Sequence, residues 1–138
     1  MKLTNTQNMK SKSGMTLLEL TVVILVLLSL ISILFIGARA WKKGSDRAGC
    51  ILNLRNIQQA VRGEQNMKNE VPGAGTLVAA NIIGAAGYIT KVPVCPSNNA
   101  VYTYAADTIY PLEGVLYAAC AGTAGIRAEH VPADVAGW

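Results

Sequence analysis

Charge is scarce in this chain of 138 residues. Only 14% are Asp, Glu, Lys or Arg, against about 25% in ordinary soluble domains. Intrinsic disorder needs low hydrophobicity and high net charge, and 51% hydrophobic content excludes it. Histidine is reduced to His130, so catalysis by a Cys-His or Ser-His pair has a single candidate base. His130 lies in an Ala- and Gly-rich stretch and reads as a solvated residue. The glycines form no phosphate-binding pattern on a strand-to-helix turn. No constellation supports an enzyme or a bound cofactor. Between Leu17 and Ile36 there is neither proline nor glycine, so nothing in that stretch interrupts a helix.

The formal net charge of +4 is mostly local. Residues 1–14 carry Lys2, Lys10 and Lys12 and no acid, which leaves nine basic against eight acidic side chains elsewhere. Beyond Arg39, Lys42, Lys43 and Arg47 there is no basic stripe. Tyr88, Tyr102, Tyr104, Tyr110 and Tyr117 are not interleaved with basic residues and read as sheet and core residues. Nucleic acid is therefore not an expected partner.

Leu17 to Ile36 is an apolar run broken by one charge, Glu19, and by Thr21, Ser29 and Ser32. As a helix it spans about 30 Å, enough for a hydrocarbon core. The hydroxyls can bond carbonyls one turn earlier. Trp41 follows at a place that suits a membrane interface. A cleaved secretory signal has a shorter apolar core and a better cleavage site than Ile36-Gly37-Ala38-Arg39-Ala40. A plain signal anchor accounts for the length but gives Glu19 no role. A carboxylate in a membrane helix costs roughly 2.5–3.5 kcal/mol even on lenient scales, so its place asks for a function.

The segment Lys12-Ser13-Gly14-Met15-Thr16-Leu17-Leu18-Glu19-Leu20-Thr21 resembles the processing site of type IV prepilins and type II secretion pseudopilins. The resemblance is specific over residues 12–36 and architectural beyond. It implies that a prepilin peptidase cuts between Gly14 and Met15 and methylates the new amine. It implies that Glu19 then meets the amine of a neighbouring subunit, so that assembly relieves two charges that are each costly alone in low dielectric. The expected partners are prepilin peptidase, other copies or related subunits in a filament, the inner membrane and secretion-system assembly proteins. The implied function is a structural subunit of a type II secretion pseudopilus that drives protein export. The same N-terminus also serves true pili for adhesion, motility or DNA uptake, and an uncut signal-anchored envelope protein with a binding head is the reading from a different class. The implied location is the bacterial inner membrane, single-pass, with the head in the periplasm or outside. Two features depart from the family: Met15 stands where Phe is commonest, and Ile36-Gly37 stands where many members have proline. Charge counting across the membrane leaves orientation open; the cleavage motif decides it.

Cys50, Leu54, Ile57 and Val61 fall at spacings of four, three and four, with Ile51 at the edge, and Arg55, Gln59, Arg62 and Asn66 oppose them. This predicts an amphipathic continuation of the helix to about Asn69; Gly44 and Gly49 weaken it locally. Val71-Pro72-Gly73-Ala74-Gly75 ends it, Thr76 caps a short helix from Leu77 to about Ile83, and Gly84 to Gly87 turns the chain. Ser97-Asn98-Asn99 reads as a turn. Val101 to Tyr104 and Val115 to Tyr117 read as strands joined through Pro111 to Gly114. The expected fold is α+β: a long N-terminal helix, half transmembrane and half amphipathic, packed on a small antiparallel sheet of two to four strands, as in pilins. The expected domains are a leader at 1–14, a membrane or filament-core helix at 15–40 and a head at 41–138, with 121–138 a loose tail.

Three cysteines allow one disulfide. Cys95 and Cys120 flank the predicted hairpin, and bridging them closes a loop of about 25 residues, worth roughly 3 kcal/mol. Cys50 reads as a buried thiol, although its pairing with either of the others stays open. No two cysteines are close in sequence, so the spacing does not resemble a zinc site. Some pseudopilins bind calcium late in the head, but Asp107, Glu113, Glu129 and Asp134 form no calcium loop here and no metal site is expected.

Overall fold

The computed structural model describes residues 14–105, 109–122 and 124–138. The leader lysines and Asp107 lie outside them. The chain divides into two compact units, Met1–Arg39 and Ala40–Trp138. The layout is α+β: one long helix and one small antiparallel sheet.

Helix α1 runs from Leu17 to Lys68 without interruption by Gly37, Gly44 or Gly49. Its first part is apolar and exposed on every side, with Leu17, Leu25, Leu34 and Ile36 each more than 65% exposed. This stretch is long and apolar enough to cross a membrane. Its polar side chains are satisfied locally. Thr21 Oγ1 donates to the Leu18 carbonyl at 2.9 Å, Ser29 Oγ to Val26 at 2.7 Å and Ser32 Oγ to Leu28 at 2.8 Å. A helix in lipid must meet its polar groups in this way, since no water is there to do it.

In the second unit α1 carries the core stripe. Cys50, Leu54, Ile57 and Val61 are buried, as the helical spacing requires. Asn69 takes φ 55°, and the Asn69 and Glu70 amides bond back to Asn66 and Gln65. This left-handed turn closes the helix end as a Schellman motif. A single helical turn, α2 (Ala79–Ile82), follows and buries Ile82. Thr76 does not cap it. Val78 occupies the N-cap with no side-chain bond, and Asn81 instead donates to Glu64 Oε1 of α1 at 2.8 Å.

Strands β1 (Thr103–Tyr104) and β2 (Ala118–Ala119) pair antiparallel, Thr103 with Ala119 and Tyr104 with Ala118. Isolated bridges join Ile83 to Ile89 and Val94 to Val101. The second strand lies later than the β-forming residues Val115 to Tyr117 suggest. Gln58 of α1 explains the shift: its Nε2 donates to the Val115 carbonyl at 3.1 Å and its Oε1 accepts from the Tyr117 amide at 2.9 Å. A buried side chain thus takes backbone groups that a longer ladder would use. Arg62 acts similarly at the turn, donating to the Pro111 and Leu112 carbonyls at 2.7 and 2.9 Å and to that of Trp138 at 3.3 Å.

Residues 121–138 are not a loose tail. They contain α3 (Ala124–Glu129), buried His130, and Trp138 packed partly against the core. Tyr102, Tyr110 and Tyr117 are core residues, whereas Tyr88 is 49% exposed.

Two outcomes follow from this packing. Gln58→Leu removes two buried bonds and is expected to destabilise the head by about 1–3 kcal/mol, while Gln59→Leu on the exposed face is expected to change stability by less than about 0.5 kcal/mol; denaturant unfolding of the full chain in detergent compares them. Burial raises the hydroxyls of Tyr104 and Tyr110 above the ordinary 10.0. The unfolded chain therefore loses these protons first, so their contribution is full below about pH 10 and is lost as pH rises through the folded values. Unfolding midpoints measured between about pH 8 and pH 11 are expected to fall at the alkaline end.

Candidate functional sites

Two sets of residues carry chemistry. The first lies at the start of α1. Gly14, Met15 and Thr16 precede the helix, and Met15 is 72% exposed. Glu19 stands in the first turn. Its Oε2 accepts from the Thr16 amide at 3.0 Å and from Thr16 Oγ1 at 3.1 Å, while the Glu19 amide donates to Thr16 Oγ1 at 3.3 Å. This is a reciprocal capping box. The Thr16-Leu17-Leu18-Glu19 spacing carried the signal for it, yet sequence reasoning gave Glu19 only a partner in another subunit. Both contacts use Oε2; among the described residues the other oxygen accepts no hydrogen bond. Gly14 is not demanded by the fold. A Cβ there would meet nothing within 4 Å, and its φ is not in the left-handed region.

The second set lies inside the head. Cys95 and Cys120 are not bridged: all three cysteines are free and buried. The expected disulfide is thereby corrected. His130, read from sequence as solvated, is only 4% exposed. The Sγ atoms of Cys50, Cys95 and Cys120 and a ring nitrogen of His130 all lie within 4.8 Å of one another. His130 Nδ1 is 3.5 Å from Cys95 Sγ and 3.7 Å from Cys120 Sγ.

Four separate elements deliver these groups. Cys50 comes from the buried stripe of α1. Cys95 opens the turn between the bridged Val94 and Val101, its amide donating to Ala100 O and its carbonyl accepting from Asn99. Asn99 takes φ 54°, which tightens that turn. Cys120 follows β2, and His130 follows α3 with its amide bonded to Ile126 O. At Gly49 a Cβ would stand 3.1 Å from Pro96 Cγ, so the small residue lets the Cys95 turn approach α1. Separation along the chain could not reveal this convergence.

A second layer surrounds Cys50. Asn53 Nδ2 donates to the Tyr102 hydroxyl at 3.2 Å, and that hydroxyl lies 3.2 Å from Cys50 Sγ and 3.5 Å from the Cys50 carbonyl. With one lone pair engaged by Asn53, the hydroxyl turns its proton toward Cys50. Burial pushes the Cys50 and Cys120 thiols up, and burial with the Cys50 contact raises Tyr102. The Cys50 and Cys120 thiols are therefore held protonated, because a bare thiolate is poorly solvated there.

Comparison with protein-family models, with curated proteins and with solved structures finds no match to the chain.

Reduced full-length chain in the presence of a chelator is expected to yield three alkylatable thiols once unfolded. While folded, they should react about 100-fold more slowly, since reactivity needs an exposed thiolate. Intact mass after timed alkylation reads both states.

Proposed function

We propose that the chain is a filament subunit of the type IV pilin-like class, acting in a type II secretion pseudopilus to drive protein export. The observation that carries this reading is the register of four features: a basic leader, Gly14-Met15, Glu19 and an apolar stretch that no part of the described protein covers. The helix begins at Leu17, so the Gly14–Met15 bond lies in non-helical backbone where a peptidase can take it up. The fold has no need of glycine at 14, which leaves an external enzyme as the reason for it.

Cutting there leaves Thr16 and Glu19 in the same chain, so the capping box survives processing. The new Met15 amine has an ordinary pKa of about 7.7–8.0 and is largely protonated at neutral pH. Before assembly Glu19 is held by its own chain; in the filament it turns its remaining acceptor capacity to the amine of a neighbour. The apolar part of α1 first anchors the subunit in the bacterial inner membrane and then packs helix against helix in the filament. The head stands in the periplasm or outside.

Intact mass of the protein from native membranes, with and without a co-expressed prepilin peptidase, tests the reading. A peptidase-dependent start at Met15 is expected, and Gly14→Val is expected to block it with stability changed by less than about 0.5 kcal/mol. Glu19→Ala should remain cut but lose assembly and the export of folded cargo. An uncut chain beside an active peptidase would return the protein to a signal-anchored binding head. Intact export with lost adhesion, motility or DNA uptake would assign it to a true pilus.

A further inference from the structure

We infer that Cys50, Cys95, Cys120 and His130 form a structural zinc site that ties the last third of the head to α1. The site stands apart from any filament role.

The donor set and its geometry point to this ion. Zinc bound by thiolates at about 2.3 Å and imidazole at about 2.0–2.1 Å in a tetrahedron places nitrogen about 3.5–3.6 Å from sulfur and sulfurs about 3.8 Å apart. The His130 Nδ1 distances of 3.5 and 3.7 Å already match such edges. Every other edge is at most 4.8 Å, so the longest has to close by no more than about 1 Å to reach the tetrahedron. A disulfide needs none of this. It would use two sulfurs and leave the third thiol and the imidazole buried without a purpose, whereas Nδ1 sits nearly equidistant from two sulfurs. Three sulfurs and one nitrogen in a tetrahedron select zinc among the common divalent ions. Four protein donors leave no open position, which makes the site structural rather than catalytic.

Binding is balanced as follows. One Zn²⁺ enters, three thiol protons leave, and neutral His130 ligates through Nδ1 with its proton on Nε2. The site then carries one net negative charge. The Tyr102 hydroxyl, set by Asn53, donates to Cys50 Sγ and stabilises that charge from the second layer. A surface depression lined by Lys43, Ser97, Glu129 and His130 touches the cluster at its imidazole. Once coordinated, the thiolates are shielded from oxidation.

The test uses the full chain in detergent, reduced and stripped of metal, with folding followed by circular dichroism. Titration with Zn²⁺ alone is expected to saturate at one ion per chain, release three protons and raise the unfolding temperature. Co²⁺ in its place is expected to give thiolate-to-cobalt charge transfer in the near ultraviolet and the strong visible bands of a tetrahedral ion. His130→Cys keeps four donors and should keep those visible bands, and Tyr102→Phe should keep them with affinity weakened roughly 10- to 100-fold. A folded, reduced wild-type chain that takes up no zinc, or a cobalt complex without thiolate bands, would overturn the inference. So would a chain isolated from cells lighter by two hydrogens and unable to bind zinc until reduced, which would assign the cluster to a disulfide.

Discussion

The head depends on one meeting point. Among the described residues its regular structure is slight: two strands of two residues each, one helical turn and a six-residue helix around α1. Ladders that short contribute little cohesion, and a two-stranded pairing is marginal alone. What holds the segments in place is side chains reaching across sequence. Gln58 and Arg62 satisfy the backbone at 111–117, Glu64 holds Asn81 and pairs with Lys68 at 2.6 Å, and Cys50, Cys95, Cys120 and His130 converge at the centre. Small heads with limited cores commonly use a covalent or metal staple in such a place.

The N-terminal unit obeys the opposite constraint. From Leu17 to Ile36 the chain offers apolar surface and no core to receive it. Every hydroxyl in that stretch is turned back onto the helix, and Glu19 is folded onto Thr16. A helix prepared in this way suits an environment that supplies no hydrogen bonds, whether acyl chains or the flanks of like helices. The carboxylate stays the one group whose satisfaction depends on its setting.

Much of this was legible from residues alone. The stripe Cys50, Leu54, Ile57 and Val61 follows helical periodicity, and periodicity reports burial whenever the buried face is apolar. The same rule is blind to Gln58, Glu64 and Gln65, which are equally buried. Gln58 serves the backbone of Val115 and Tyr117 and Glu64 accepts from Asn81, and no local pattern announces such distant partners; Gln65 is bonded nearby, to Arg62 and the Glu70 carbonyl. Propensity found β1 but misplaced β2, because Gln58 outcompetes strand pairing for the backbone of 115–117. The cluster escaped for a topological reason: its four members come from a helix, a turn, a strand end and a segment that composition alone marks as loose. The capping box was the reverse case, a local signal overshadowed by a longer-range interpretation of the same carboxylate.

The order of the four donors along the chain has a consequence for how the head is made. Synthesis proceeds from Cys50 through Cys95 and Cys120, and His130 emerges last. Until the segments fold together, three thiols stand without their imidazole. Three thiols can pair in three ways, and each pairing would strand the remaining one. An oxidant that reaches the chain before Cys50, Cys95, Cys120 and His130 have met would fix a pairing that the completed fold does not use.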